Sequence, residues 1–343
     1  MSEDVLDDRD QRLVAALQCD GRLTAERAAD VLGLSTRVVH RRWSALLGDG
    51  TVRVVGLPGQ SAPPAGMTLR IKVLRGRTEV IAKALADRED VPFVDLSASG
   101  DEISAILLAD TAAPHRLVHR QLPATNAVTS VDAQTVLHVF KGAHEWRHDV
   151  LTAAERAALT PEFAAPRSAY AAAGGSPDET DRTDRPHQGD RTHRTDRVDH
   201  TDQALIAALA EDGRLPAAEV ARSTGHPEST VRRRLAALRE RGLLRTHVHV
   251  DACRLGLGVD ANLLMEVAPG RLDRVGRILA AHGAVHGALA TTGRTNLHVA
   301  VWLRDLPALY AFLTRDVGSL DVRAVETVLV GRAVKRPGTR RAG

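Results

Sequence analysis

The chain has 343 residues, 46 Lys and Arg against 43 Asp and Glu, and 43% hydrophobic residues, enough apolar material for two or more ordinary cores. Aromatic residues make up only 3%, so those cores are aliphatic. The two cysteines, Cys19 and Cys253, are far apart, which argues against a disulfide scaffold and for a reducing compartment. The chain has no basic-then-apolar leader and no uncharged run near the roughly 20 residues that cross a bilayer, so a cytoplasmic protein without a membrane partner is expected.

From the N-terminus, residues 1–56 read as three short helices. Asp7 and Asp10 suit a helix start, and Leu13, Val14 and Leu17 fall on one face. Gly21 suits a helix stop. A second helix spans Thr24 to Leu32, Gly33 gives a turn, and a third runs from Thr36 to Leu47, which is helix-turn-helix spacing. Val52, Val54 and Val55 then suggest a connecting strand or wing.

Residues 67–145 alternate strand and helix signals. Strands are predicted at Thr68–Leu74, Pro92–Ser97, Glu102–Leu108 and Val128–Phe140, with helices near Thr78–Asp87 and Pro114–Gln121. Residues 146–197 read as a helical extension followed by a linker. Its part from Gly174 to Arg197 repeats Asp, Arg and Thr with almost no aliphatic residue, so it is expected to be disordered.

The plan then starts again. Residues 198–250 give the same three helices, with Leu205, Ile206 and Leu209 on the first, the second from Pro216 to Thr224 and the third from Pro227 to Arg241. Val248 and Val250 mark the following strand. Residues 258–336 read as βαββαβ, with strands at Asn262–Val267, Val285–Thr291, Thr295–Leu303 and Val322–Val330. Helix stripes lie at Leu272, Val275, Ile278 and Leu279, and at Leu306, Leu309, Tyr310 and Leu313.

The two triple-helix segments are a repeat in constant register. Asp10 falls on Asp202, Gly21 on Gly213, Gly33 on Gly225, Arg42 on Arg234 and Gly50 on Gly242, each pair 192 positions apart. The expected fold class is therefore α+β and multidomain, a winged-helix or helix-turn-helix module followed by a βαββαβ ferredoxin-like domain, the pair duplicated in one chain.

On the third helices, Val39, Trp43 and Leu46, and their counterparts Val231, Leu235 and Leu238, have the phase of core contacts. Trp43 thus reads as packing. The other faces carry Thr36, Arg37, His40, Arg41 and Arg42 in the first copy, and Glu228, Ser229, Arg232, Arg233 and Arg234 in the second. Residues early on such a helix reach base edges and cationic ones also hold phosphates, so these ten residues are the candidate contacts to double-stranded DNA. Arg42 and Arg234 border the core face, where a structural or phosphate role is as well supported as base reading. The two faces differ chemically, which predicts an asymmetric or loosely palindromic operator.

The opening LDxxDxxLxxxLxxDGRL, followed by βαββαβ, resembles the Lrp/AsnC (feast/famine) family of transcription regulators. The second half carries the sharper resemblance, in DGRLPAAEVARSTGHPESTVRRRLAALRERGLL and in the run containing ALATTGRTNLHVAVWLRDLPALYAFLTRDVGSLDVRAVETVLVGRAVKR. The double-length chain resembles two family protomers fused in tandem. The resemblance implies a RAM-type sensing and dimerisation domain, an amino-acid or related small-molecule effector, and a homo-oligomer or intrachain pseudo-dimer. It points to the turn formed by Thr291, Thr292, Gly293, Arg294, Thr295 and Asn296 as effector-binding; the residues alone favour a tight β-turn with glycine at positive φ, and only the resemblance brings the ligand reading level with it. In the first half, Ser97-Ala98-Ser99-Gly100-Asp101 replaces this turn, so a ligand there is doubtful.

No cofactor and no catalytic residue is expected. His115/His119, His144/His148 and His247/His249 are pairs without a visible third ligand, so they read as exposed polar residues rather than a metal site. A competing reading is an enzyme: some proteins of similar fold decarboxylate a siroheme-type tetrapyrrole. Two basic third helices argue against it, since such chemistry has no need of DNA-reading faces.

Overall fold

The computed structural model describes residues 5–59, 66–108, 117–122, 124–161, 198–336 and 339–340. His115 and the Gly174–Arg197 linker lie outside them. The chain separates into two compact units that both interleave the repeats: residues 16–63 with 152–248, and residues 1–15 with 64–151 and 249–343.

The first unit gathers the helical modules. Helices α1 (Asp8–Cys19), α2 (Ala25–Leu32) and α3 (Thr36–Gly48) lead into strand β1 (Val52–Pro58). The division between units falls within α1. Thr24 caps α2 by accepting from the Arg27 N–H, and Ser35 caps α3 by accepting from the Val38 N–H. Between them Gly33 takes φ +66°, a left-handed turn with open space around its Cα, so the backbone conformation alone calls for glycine.

Residues 66–141 then form strand β2 (Gly66–Val73), helix α4 (Thr78–Ala86), strands β3 (Phe93–Ser97) and β4 (Glu102–Leu108), a π-helical turn at Leu117–Gln121, and strand β5 (Val128–Lys141). A short helix α5 (Ala153–Leu159) follows, opened by a capping box between Thr152 and Glu155. The second helical module comprises α6 (His200–Ala208), α7 (Ala217–Thr224), α8 (Glu228–Glu240) and strand β6 (Leu244–Val250). Pro216 and Pro227 stand just before their helices rather than as first helical residues. Leu205, Ile206, Leu209, Val220, Val231, Leu235 and Leu238 close its core. Of the connecting strand or wing read after each third helix, the structure has the connecting strand: β1 and β6, one from each copy, pair with each other as a two-stranded sheet.

The second βαββαβ run comprises β7 (Val259–Val267), α9 (Pro269–Ala281), β8 (Val285–Thr291), β9 (Leu297–Leu303), α10 (Leu306–Ala311) with a π-helical turn to Val317, and β10 (Val322–Arg336), with a short β11 (Thr339–Arg340). Each run has the ferredoxin-like antiparallel order, β3-β4-β2-β5 and β8-β9-β7-β10, with one face covered by helices. Alternation sends Leu263, Met265, Val299 and Val301 to one core, and Leu69, Ile71, Ile103 and Leu107 to the other. Each such side chain contributes about 1.5–3 kcal/mol on burial.

The two long strands join these sheets. β5 pairs with β2 and also, antiparallel, with β8; β10 pairs with β7 and also with β3. The hydrogen-bonded circuit β10-β3-β4-β2-β5-β8-β9-β7 returns to β10 and closes on itself. The sequence predicts the final strand only to Val330; its extension to Arg336 is the part that crosses to the other repeat.

Candidate nucleic-acid interface and sensing turn

The helical modules are locked together by a reciprocal clasp. Arg22 donates from Nη1 to the Gly213 carbonyl at 2.7 Å and from Nη2 to the Leu215 carbonyl at 3.0 Å. Arg214, its repeat counterpart, donates to the Gly21 and Leu23 carbonyls at 2.6 and 3.1 Å. Burial lowers both guanidinium pKa values from the ordinary range. The Arg214 guanidinium also lies 5.3 Å from the centroid of Trp43, which is buried, so Trp43 packs rather than stacks on bases.

Gly21 and Gly213 are glycines for this approach. A Cβ on Gly21 would meet Thr246 at 2.7 Å, and one on Gly213 would meet the Val55 backbone at 2.9 Å. The sequence reading of both as helix stops missed this, because the neighbour belongs to the other repeat. Helix α5, without a role in the sequence reading, buttresses α2: Arg27 donates to the Ala158 carbonyl at 3.2 Å.

On α3, Val39, Trp43 and Leu46 are buried, while Arg37, His40 and Arg41 are exposed. Thr36 and Arg42 are half-buried, and His40 Nε2 is 3.9 Å from Glu26 Oε1. On α8, Ser229, Arg232 and Arg233 are exposed and Glu228 is half-buried. Arg234 is engaged: its Nη1 donates to Asp199 at 2.7 Å and to Asp202 at 2.8 Å, pinning the third helix to the capped start of α6. Those bonds, with Asp199 first, raise the Arg234 pKa. Of the two roles left open for Arg234, the structural one has the geometry.

The Thr291–Asn296 turn lies against β5 of the other repeat. Thr291 is buried and its hydroxyl donates to Gln134 Oε1 at 3.1 Å; Gln134 Nε2 donates to Thr295 Oγ1 at 3.2 Å. The Thr292 N–H donates to the Thr135 carbonyl at 2.9 Å, and the Thr292 hydroxyl accepts from the Thr135 N–H at 2.9 Å. Asn296 completes a two-bond bridge to the Val267 backbone at 2.8 and 2.9 Å. Arg294 is exposed and reaches Glu266 at 3.1 Å, and Gly293 takes φ +96° beside the Gln134 amide. Gln134, Thr135 and Glu266 are absent from the sequence prediction; for Gln134 and Thr135 nothing local marks a partner about 160 residues away, and Glu266 meets Arg294 from a different strand.

Behind this turn the sheets hold buried charge. Arg70 pairs with Glu102 at 2.9 Å and Glu326 at 2.7 Å, so both repeats share one guanidinium. Arg336 bonds Asp95 and lies 3.1 Å from Asp260. Burial and the like charge of Asp260 push the Asp95 carboxyl up to about 6, even beside Arg336. For Asp260, burial acts upward but His286 and Arg336 outweigh it, and its pKa falls. His286 stacks on Trp302 with ring centroids 3.9 Å apart, and burial lowers its pKa. Burial takes His298 down to about 4. Among the described residues no group of three or more His, Cys, Asp or Glu is placed to hold a metal, and no helix is long and apolar enough to cross a membrane.

Paired helix-turn-helix modules with basic third helices, joined in one chain to paired ferredoxin-like sheets, define a DNA-binding regulator with a sensing domain. The profile of the AsnC-type helix-turn-helix domain matches residues 6–47 and 198–239, and that of the Lrp/AsnC ligand binding domain matches residues 261–339. The chain is 30% identical over 128 residues to the HTH-type transcriptional regulator FL11 of Pyrococcus furiosus, covering 84% of that protein and 37% of this chain. It is 29% identical over 138 residues to an uncharacterized HTH-type transcriptional regulator of Pyrococcus abyssi, covering 87% of it and 40% of this chain. Among solved structures, the siroheme decarboxylase NirDL superposes with a TM-score of 0.56 at 15% identity, over 96% of this chain and 93% of that one, a likeness of fold. The chain belongs to the Lrp/AsnC family of transcription regulators.

Proposed function

We propose that one chain reads both halves of an operator, presenting α3 to one half-site and α8 to the other, and that an amino acid or related small metabolite binding at Thr291–Asn296 modulates it in the cytoplasm. The observation that carries this reading is the Arg22–Arg214 clasp, which holds both helix-turn-helix modules in one compact unit. Thr36, Arg37, His40, Arg41 and Arg42 serve the first half-site; Glu228, Ser229, Arg232 and Arg233 serve the second, with Arg234 supporting the helix. Dimer-like pairing is internal to the chain, and higher oligomers would be built from whole chains.

Selection of preferred duplexes by the purified full chain tests the DNA reading. Arg37→Ala/Arg41→Ala and Arg232→Ala/Arg233→Ala are each expected to weaken binding and to flatten its salt dependence. Calorimetric titration with the twenty amino acids, repeated with Thr292→Val, tests the sensing turn; heat of binding that survives the substitution counts against it. The full-length likeness to a siroheme decarboxylase favours a second reading, a tetrapyrrole enzyme on the same architecture. A visible absorption change on adding an iron-uroporphyrin, in protein that selects no DNA, would support that alternative.

A further inference from the structure

We infer that Glu228 and Arg232 act as one base-reading element, and that this element makes the two ends of the operator chemically different. The inference rests on the reading above that α3 and α8 enter DNA. Arg232 Nε and Nη2 both donate to Glu228 Oε1, at 2.9 and 2.5 Å. The side chains are 71% and 41% exposed, and an exposed i,i+4 pair contributes little to folding. Its consequence is geometric.

By engaging the Nε side of the guanidinium, Glu228 favours one Arg232 rotamer and leaves the Nη1–Nη2 end as a two-donor fork. That fork matches O6 and N7 of guanine. Among the described residues Glu228 Oε2 accepts no hydrogen bond, and a carboxylate accepts from the N4 amino group of cytosine. Both residues lie within the first five positions of α8, the part of such a helix that meets base edges. A carboxylate there also repels phosphates and acceptor-rich base edges, so it discriminates by rejection as well as by attraction.

The first copy lacks every part of this element. Thr36 and His40 stand where Glu228 and Arg232 stand, 192 positions earlier, and the exposed cations beside them are Arg37 and Arg41. The first half-site is therefore read without a paired carboxylate and guanidinium. The second is read through a guanine next to a cytosine.

The test is duplex selection with the full chain, comparing wild type, Glu228→Gln and Glu228→Thr/Arg232→His, with thermal melts to verify folding. Wild type is expected to select sites with a sharp guanine-cytosine preference at one end only. Glu228→Gln should relax that preference about tenfold at one or two base pairs and leave the other end unchanged. Glu228→Thr/Arg232→His should give the second end the weaker, salt-sensitive preference of the first. The inference is overturned if Glu228→Gln tightens binding to all sequences equally, or if preferences at the second end do not change. Wild type that selects no sequence would overturn both this inference and the DNA reading beneath it, whereas unchanged preferences with intact binding would overturn only the inference.

Discussion

The circuit of strands has two seams where one repeat meets the other, and they have diverged. At the β10–β3 seam, Arg336 is wedged between Asp95 and Asp260 with the Phe93 ring 5.9 Å away. In the sheets the strand registers place equivalent residues 194 apart (Leu329 opposite Ala261 as Thr135 is opposite Met67), so at the β5–β8 seam the position equivalent to Arg336 is Gly142, and aromatic rings take its place: Trp146 meets Trp302 edge-on at 4.7 Å, and Trp302 stacks on His286. A shared pattern survives beneath the difference. Lys335 donates to the Arg88 carbonyl at 2.5 Å and Lys141, at the equivalent place, to the His282 carbonyl at 3.4 Å. The turns follow the same rule, since the Ala98 N–H donates to the Leu329 carbonyl as the Thr292 N–H does to that of Thr135. Backbone bonding keeps the two-fold relation, while side chains at each seam have specialised. Fusion of two protomers permits this, because each seam is encoded separately.

The largest test of the comparison is Arg336→Leu. It leaves two buried carboxylates facing each other without their cation and should destabilise the protein by about 3–5 kcal/mol in urea unfolding. A loss below 1 kcal/mol would mean the charged seam is no more than decoration; adding Asp95→Asn and Asp260→Asn should recover much of the loss.

The pH dependence comes next. His298 is held from the ordinary 6.5 down to about 4 by burial, so its contribution is present above pH 6.5 and is lost as pH falls toward 4. Asp95, raised from 3.8 to about 6, acts in the opposite sense and favours the folded state as pH drops through that window. His298→Gln should remove up to about 3 kcal/mol of the acid-induced loss, read from melts at pH 7 and pH 4.5. An identical pH profile in the variant would show that His298 is not the titrating group.

The clasp offers a control in which the repeats should behave alike. Arg22→Ala and Arg214→Ala each remove two charged bonds to carbonyls and should cost about 1.5–3 kcal/mol apiece, with Arg214→Ala at the upper end because it also loses the Trp43 ring. A severalfold disparity between them would show that the two-fold relation fails in the helical pair as well. The smallest effect is expected for Trp146→Phe, which keeps the ring but loses the 2.8 Å bond from Nε1 to the Gly283 carbonyl, a change of about 1 kcal/mol.

Much of the fold was legible because its signals are local. The 3.6-residue phase identified Val39, Trp43, Leu46 and their counterparts as core, and alternation found the strands of both sheets. The exposure of Arg37, His40, Arg41, Ser229, Arg232 and Arg233 was legible for the same reason, as the polar side of a phased helix. What escaped notice depends on partners in the other repeat. The last residues of β10 show no alternation that says which strand they join, Gly21 and Gly213 look like ordinary helix stops, and Arg234 looks like one more basic residue until Asp199 and Asp202 are placed beside it. Gln134 carries no signature at all, because the threonines it serves lie about 160 positions downstream.

Closing the strand circuit within one polypeptide changes how the regulator responds to its own abundance. A partnership between separate chains dissolves on dilution, and its occupied fraction of DNA falls roughly as the square of the amount present. On the proposed single-chain reading a tethered partner is never lost to dilution, and promoter occupancy would scale with copy number in the first power. A cell holding only a handful of molecules would retain a working switch, and its set point would track synthesis without a threshold.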